Sequence, residues 1–428
     1  MNLIQKIKSS ELVKVTSLNG ISVGTKVLSG LVVSKVLAVL IGPAGLALLG
    51  NFRNFMASVD TITSLGFQNG IIKLVAENKE DISEMKKISS TLFLVVLCVS
   101  ILFGILLFFF ADYWNLLIFG STHQFQIIFK TLAIVSPLYI SSNYLLSFVN
   151  GFSLYKEVLY LNIIGSILGL ALTVYFAYVY SVLGAILSIF LTPTMLFFCS
   201  WYFTNRKINF SEIVSFASFD FSILKSLSHY FLMIMISGIL TQIITIAIRN
   251  NVIINLGIDS AGFWEAMTRI SANYMLLVNS LLTVYYYPKL IAAKNDQETR
   301  KVIFGFYKNI IPFLAIMLIV IYFLRIYIVK ILFTTQFEPV SQLFVWQLIG
   351  DFLKAVSWII GLQFFVKRMT AGFIITDVAS ILTLYGLSIY GISIFGLQGV
   401  VMAHCITYVL YLLVLVIYFR KMLFISTT

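Results

Sequence analysis

The sequence predicts an all-α integral membrane protein with twelve transmembrane helices in two related halves. Three observations carry that reading. Of 428 residues, 60% are hydrophobic and 11% charged, with a mean hydropathy of +0.99, whereas soluble domains carry roughly 25% charged residues. Apolar stretches long enough to cross a bilayer, which takes about 20 residues at helical rise, recur along the whole chain. Two Ala-Gly turns, each followed by a helix carrying arginine, lie in different halves of the chain, as do two similar tight junctions. A net charge of +12 would point to nucleic acid in a soluble protein. In a membrane protein the placement of charge matters more than its sum, so no nucleic-acid partner is expected.

The first seventeen residues are too polar for a secretory leader and form a cytoplasmic N-terminal segment, 1–17. Apolar runs follow near 18–42, 46–72, 88–110, 127–150, 158–180 and 182–203, giving an N-terminal six-helix bundle over 18–203. A polar stretch, TNRKINFSEIVSFASFDFSIL at 204–224, reads as a cytoplasmic linker. The second set lies near 225–250, 260–287, 305–328, 340–366, 372–394 and 397–419, a C-terminal six-helix bundle over 225–419 with a tail at 420–428. Orientation follows from lysine and arginine, which favour short cytoplasmic loops. With the N-terminus inside, the inner segments hold 20 of these residues and the outer loops only Lys130, Arg325 and Lys330. Both termini are therefore expected in the cytoplasm.

The remaining cations, Lys26, Lys35, Arg53, Arg249, Arg269 and Lys354, fall within or at the edges of spans. A charge at the bilayer centre costs from roughly 2.5 to more than 10 kcal/mol, so such residues face a bundle interior or a watery cavity. The stretch from Lys35 to Asp60 is the clearest case. Its turn, Gly42-Pro43-Ala44-Gly45, recurs as Gly257-Ile258-Asp259-Ser260-Ala261-Gly262, and arginine follows the Ala-Gly pair by eight residues in one place and seven in the other. The tight junction Tyr180-Ser181-Val182-Leu183-Gly184-Ala185 is matched by Phe395-Gly396-Leu397-Gln398-Gly399-Val400. Halves repeated in this way are a common transporter plan, with the substrate site between them.

In the second span Arg53, Asp60 and Ser64 share nearly one face. Glu265 precedes Arg269 by four residues, the favourable order for an intrahelical pair, and Asn273 extends that face. The tenth span lines Gln347, Asp351, Lys354, Trp358 and Gly361 along one side. Lys26 and Lys35 fall on opposite faces, and Lys26 is near enough to an end to snorkel. Plainer readings stand beside these. Asp351 with Lys354 and Glu265 with Arg269 would serve as structural pairs, Asp377 would be solvated at the inner end of its helix, and His404, alone in an apolar helix, reads more often as a satisfied core residue than as a proton carrier.

No phosphate-binding loop, nucleophile elbow, metal-ligand spacing or dinucleotide fingerprint is present, so neither an enzyme nor a cofactor is expected. Cys98, Cys199 and Cys405 lie in apolar runs and read as buried hydrophobes.

The stretches LAVLIGPAGLALLGNFRNF (Leu37 to Phe55) and FVWQLIGDFLK (Phe344 to Lys354) resemble the Wzx-type O-antigen translocases, most closely the branch of enterobacterial common antigen lipid flippases, in the multidrug/oligosaccharidyl-lipid/polysaccharide exporter superfamily. The resemblance runs from about residue 20 to 420. It implies two pseudo-symmetric six-helix bundles around a central cavity in the inner membrane. The implied activity is movement of an undecaprenyl-pyrophosphate-linked oligosaccharide from the cytoplasmic to the periplasmic leaflet, with membrane lipids, a polysaccharide polymerase and a chain-length regulator as partners. Lys26, Lys35, Arg53, Asp351 and Lys354 match it by position, whereas Asp60 has no match. The related lipid II flippases carry two further C-terminal helices that this sequence lacks.

Combining both readings, Lys26, Lys35, Arg53, Arg249, Arg269 and Lys354 are the expected substrate-binding residues, and Asp60, Glu265, Asp351 and Asp377 the expected coupling or gating carboxylates. A cation-coupled multidrug exporter is the first alternative, disfavoured because six intramembrane cations outnumber these four acids. A non-transporting scaffold of polysaccharide assembly is the second.

Overall fold

The computed structural model describes residues 11–63, 68–120, 125–208 and 218–424, and among these it is almost entirely helical. The chain divides into two compact units, one comprising Met1–Leu40 with Asn51–Ile239, the other Ile41–Gly50 with Leu240–Thr428. Among the described residues, nine helices are long and apolar enough to cross a membrane.

In order, the helices up to the midpoint are α1 (Glu11–Leu40), α2 (Gly42–Thr63), α3 (Gln68–Asn78), α4 (Ile82–Phe109), α5 (Ala111–Phe119), α6 (Gln126–Gly151) and α7 (Tyr155–Ile208). Asp81 starts α4 by accepting the backbone N–H of Ser83 and Glu84 at 2.9 and 3.1 Å, which satisfies donors that a helix start leaves open. The fifty-four residues of α7 are two antiparallel arms joined at Ser181, whose φ of 51° and ψ of −130° break the helix. Gly184 lies so close to the Phe176 carbonyl that a Cβ has no room, and Thr173 meets Ser188 at 3.0 Å between the arms. The interior of this unit is aromatic. Phe52, wholly buried, lies 6.1 Å from each of Phe119, Phe129 and Phe190.

The second set is α8 (Phe221–Leu256), α9 (Ile258–Leu281), α10 (Tyr287–Ala292), α11 (Asp296–Asn309), α12 (Ile311–Leu332), α13 (Phe344–Val366), α14 (Thr370–Phe395), α15 (Gln398–Tyr418) and α16 (Arg420–Phe424). A π-helical turn, Leu282–Tyr286, joins α9 to α10. Asn295 caps α11 by accepting the Glu298 N–H, while Glu298 returns a carboxylate to the Lys294 N–H; the amphipathic helix that follows buries Thr299, Ile303 and Phe306. By contrast α12 buries only Leu314, Leu318 and Val329. A helix apolar on every side yet mostly unburied has lipid as its natural surrounding.

The repeat is visible in the backbone. Gly42 and Gly257, both at positive φ (64° and 86°), open α2 and α9, and Ser181 and Gly396, at φ 51° and 57°, break the two tight junctions. Each of these pairs is 215 residues apart. At the second junction Gly399 presses on the Gly391 carbonyl as Gly184 does on Phe176, so both halves turn by the same local geometry. The helices α2 and α9 are absent from the nine apolar spans. They carry Arg53 and Asp60, and Glu265 and Arg269, which lower their hydropathy.

Candidate polar sites within the two units

In the first unit Asp60 is half-buried near the end of α2 and accepts two hydrogen bonds on Oδ1, a very short one from the Tyr139 hydroxyl and one of 3.2 Å from Asn143 Nδ2. Tyr139 and Asn143 stand four apart on α6, one above the other on the same face. Arg53, seven residues before Asp60, is exposed; Lys26 is exposed and Lys35 half-buried on α1. Ser64 lies outside the described residues.

In the second unit the 1%-exposed Asp351 gathers donors from three helices. Its Oδ2 accepts the Ser271 hydroxyl at 2.6 Å and the Tyr274 hydroxyl, both from α9. Gln347 Nε2, one turn earlier on α13, lies 3.2 Å from each oxygen, and His404 Nε2 of α15 lies 3.0 Å from Oδ1. Lys354, within electrostatic reach of Asp351, also meets aromatic faces, its Nζ 5.2 Å from the Trp358 ring centroid and 5.7 Å from that of Tyr408. Asp377 is half-buried on α14, in the electrostatic neighbourhood of Tyr411.

Gly350 explains how His404 comes so near. A Cβ there would stand 3.1 Å from His404 Nε2 and 3.2 Å from the Cys405 Cα, with the ring carbon closer still. Gly350→Ala is expected to push the imidazole off Asp351 and to destabilise the protein by about 1–3 kcal/mol, the usual range for overpacking. Thermal unfolding in detergent checks this, with Gly386→Ala, where a Cβ meets nothing, as the control.

A third cluster, also in the second unit, joins α8 to α9. Glu265 bridges two arginines, Oε2 to Arg249 Nη2 at 2.9 Å and Oε1 to Arg269 Nε at 3.0 Å. Arg249, 1% exposed, is the largest fully buried side chain among the described residues, and its guanidinium carbon lies 5.2 Å from the Trp264 ring.

The sequence marks Asp351 and Gln347 by their four-residue spacing, yet Tyr139, Asn143, Ser271, Tyr274 and His404 are partners it does not reveal. They reach their carboxylates across 53 to 83 residues of chain. One missed pairing did leave a trace. Arg249 and Glu265 lie eight residues to either side of Gly257, so a hairpin turning at that glycine brings them level. Chemically, the two aspartates are carboxylates solvated by hydroxyl, amide and imidazole groups, whereas the arginine pair offers planar forks suited to carboxylate or phosphate. Among the described residues no three His, Cys, Asp or Glu side chains cluster closely enough to hold a metal ion.

This architecture is a multi-helix membrane fold. It is similar to the inward-facing conformation of a multidrug resistance MATE family transporter of the MOP superfamily, with a TM-score of 0.80 at 14% identity, covering 94% of this chain and 96% of that one. Similarity extends to the inward closed conformation of the lipid II flippase MurJ, with a TM-score of 0.70 at 16% identity over 95% of this chain and 87% of that one. Among curated proteins it is 25% identical over 387 residues to the lipid III flippase of Escherichia coli (strain K12), covering 90% of this chain and 92% of that protein, and equally to the lipid III flippase of Shigella flexneri. Residues 12–290 match the polysaccharide biosynthesis protein family, and the chain belongs to that family.

Proposed function

We propose that this protein is a flippase that moves an undecaprenyl-pyrophosphate-linked oligosaccharide from the cytoplasmic to the periplasmic leaflet of the inner membrane. The observation that carries the reading is the convergence of two buried arginines on one carboxylate in the second unit, with Lys35 on α1 and Arg53 on α2. A diphosphate crossing about 30 Å of hydrocarbon needs cationic donors along its way, and arginine meets it with two parallel bonds. Lys26, Lys35, Arg53, Arg249, Arg269 and Lys354 are assigned to the headgroup path. The polyprenyl tail stays in lipid, and alternating access exposes the cationic cavity to one side at a time. Counting α2, α9 and both arms of α7 as spans gives twelve helices. A cation-coupled multidrug exporter is the second reading, favoured by the TM-score of 0.80 to a MATE transporter and opposed by the excess of intramembrane cations over acids.

The direct genetic test is restoration of surface polysaccharide in a bacterium whose own flippase for a lipid-linked oligosaccharide has been deleted. Export of cationic dyes without such restoration would favour the exporter.

Topology has its own test. Single cysteines at Ser83, Asn209 and Asp296, in a protein lacking Cys98, Cys199 and Cys405, are expected to react with impermeant thiol reagents only from the cytoplasm, and one at Ser121 only from outside. Labelling of Ser121 and Asp296 from the same side contradicts the twelve-span count.

Asp60, Glu265, Asp351 and Asp377 are assigned to coupling or gating. For Asp60 the argument is repulsion: an ionised carboxylate is a poor lining for an anionic substrate's path, while a proton or cation arriving there would remove the repulsion. Asp60→Asn is therefore expected to change the dependence of flipping on pH, cation or membrane potential more than it changes binding of the lipid-linked sugar. Weakened binding with that dependence untouched would place Asp60 in the substrate site.

A further inference from the structure

The Arg249, Glu265 and Arg269 cluster has the form of an anion site filled by the protein's own carboxylate. The two Glu265 oxygens divide between two guanidinium groups, the arrangement in which arginine forks also take up a phosphate. All three side chains are more than nine-tenths buried, and Trp264 backs Arg249. Backbone approaches them closely at one glycine. Gly50, in the first stretch of α2, sits so close that a Cβ there would stand 2.8 Å from Glu265 Cδ and 2.9 Å from Arg249 Cζ. Toward the start of that stretch, Gly262 of α9 lies against Pro43, where a Cβ would stand 2.8 Å from the proline Cα. The segment Ile41–Gly50 thus closes on α9 at both ends through a glycine, Gly262 against the Pro43 backbone and Gly50 against the Glu265 side chain. It belongs to the same compact unit as the cluster.

We infer that Glu265 is an internal stand-in for a diphosphate: a lipid-borne diphosphate takes its place between Arg249 and Arg269 when Ile41–Gly50 lifts from α9, and Glu265 reclaims the arginines as the substrate leaves. The inference rests on the flippase reading and adds to it a regulation of the site. Two arginine forks in a sealed apolar setting would hold a diphosphate too firmly for turnover, and a tethered carboxylate that competes for the same donors lowers that affinity by the fraction of time it occupies them. It also spares the resting protein two buried cations without counter-charge.

The test compares the full-length protein and Glu265→Gln in nanodiscs, binding two probes in turn, inorganic pyrophosphate and farnesyl diphosphate. Removal of the competing charge is expected to tighten both by roughly tenfold or more, consistent with the strength of charge-assisted pairs. Hydrogen exchange on the wild-type protein is expected to show amides of Leu46 to Gly50 losing protection when farnesyl diphosphate binds. Glu265→Asp, which keeps the charge on a shorter arm, is expected to fall between the two proteins, and it carries the comparison if Glu265→Gln does not fold. Unchanged or weaker binding in these variants overturns the inference, as does protection of Leu46 to Gly50 that ignores the ligand. Tightening for inorganic pyrophosphate alone assigns the site to the free anion and also overturns the exchange. If the wild-type protein flips lipid-linked sugar while Glu265→Gln binds no tighter, the flippase reading survives and this inference does not. Tightening in a protein that flips nothing has the opposite meaning.

Discussion

Asp351→Ala is expected to lower stability by about 3–5 kcal/mol, the range found when one member of a buried charged network is removed. The size follows from what is left behind. Ser271, Tyr274, Gln347 and His404 all direct hydrogen-bonding groups at this carboxylate, and truncation strands the first three in a buried setting, at about 1–3 kcal/mol for each group that finds no new partner. The three helices α9, α13 and α15 lose their common tie together. Asp351→Asn keeps the shape and one acceptor oxygen, so its loss is expected to be about half as large. Unfolding midpoints in detergent, read beside His404→Gln, check this order. Equal midpoints for Asp351→Ala and the wild-type protein would remove Asp351 from any structural role.

Arg53→Ala and Arg269→Ala are each expected to abolish flipping, and the corresponding lysine variants to restore it in part, because lysine keeps the charge but lacks the planar fork. The two arginines start from different surroundings. Arg53 is exposed, so its loss removes little buried packing, and a folded-protein control separates lost transport from lost stability. Arg269 is held by Glu265, and its removal leaves a buried carboxylate with one of its two arginines, so Arg269→Ala needs a folded-protein control before its transport defect is interpreted. Full activity in Arg53→Ala contradicts the assignment of this residue to the headgroup path.

Class and family were legible in the sequence because both are written in contiguous residues. Composition and apolar run length mark a membrane protein, and the stretch from Leu37 to Phe55 carries its resemblance in consecutive positions. The turns were legible too, since a backbone at positive φ selects glycine, and Gly42 and Gly257 each open a short stretch that ends in an Ala-Gly pair. The sites were only half legible. Spacing along one helix can align Gln347 with Asp351, or Glu265 with Arg269, but it carries no information on which other helix packs against that face. Tyr139 is one of twenty-two tyrosines in the chain, and nothing local separates it from those facing lipid. His404, alone in an apolar helix, gives no sign of its partner; the structure sets it against Asp351, a pairing that depends on Gly350 leaving room. Lys354 shows a mixed case, where three-residue spacing places it within electrostatic reach of Asp351 and its side chain also lies over Trp358 and Tyr408. Cation–aromatic contact adds to the charge interaction there, and sequence spacing gives no sign of it.

The central claim is that the cationic groups inside this membrane protein serve the passage of a diphosphate-linked sugar. Reconstitution into liposomes with a fluorescent undecaprenyl-pyrophosphate-linked oligosaccharide on the inner leaflet tests it most directly, with arrival at the outer leaflet read by an impermeant quencher. Protein-dependent appearance of the lipid outside, lost in Arg53→Ala, is the result expected. Appearance at the rate of protein-free liposomes, from a protein shown to be folded and inserted, would contradict the claim.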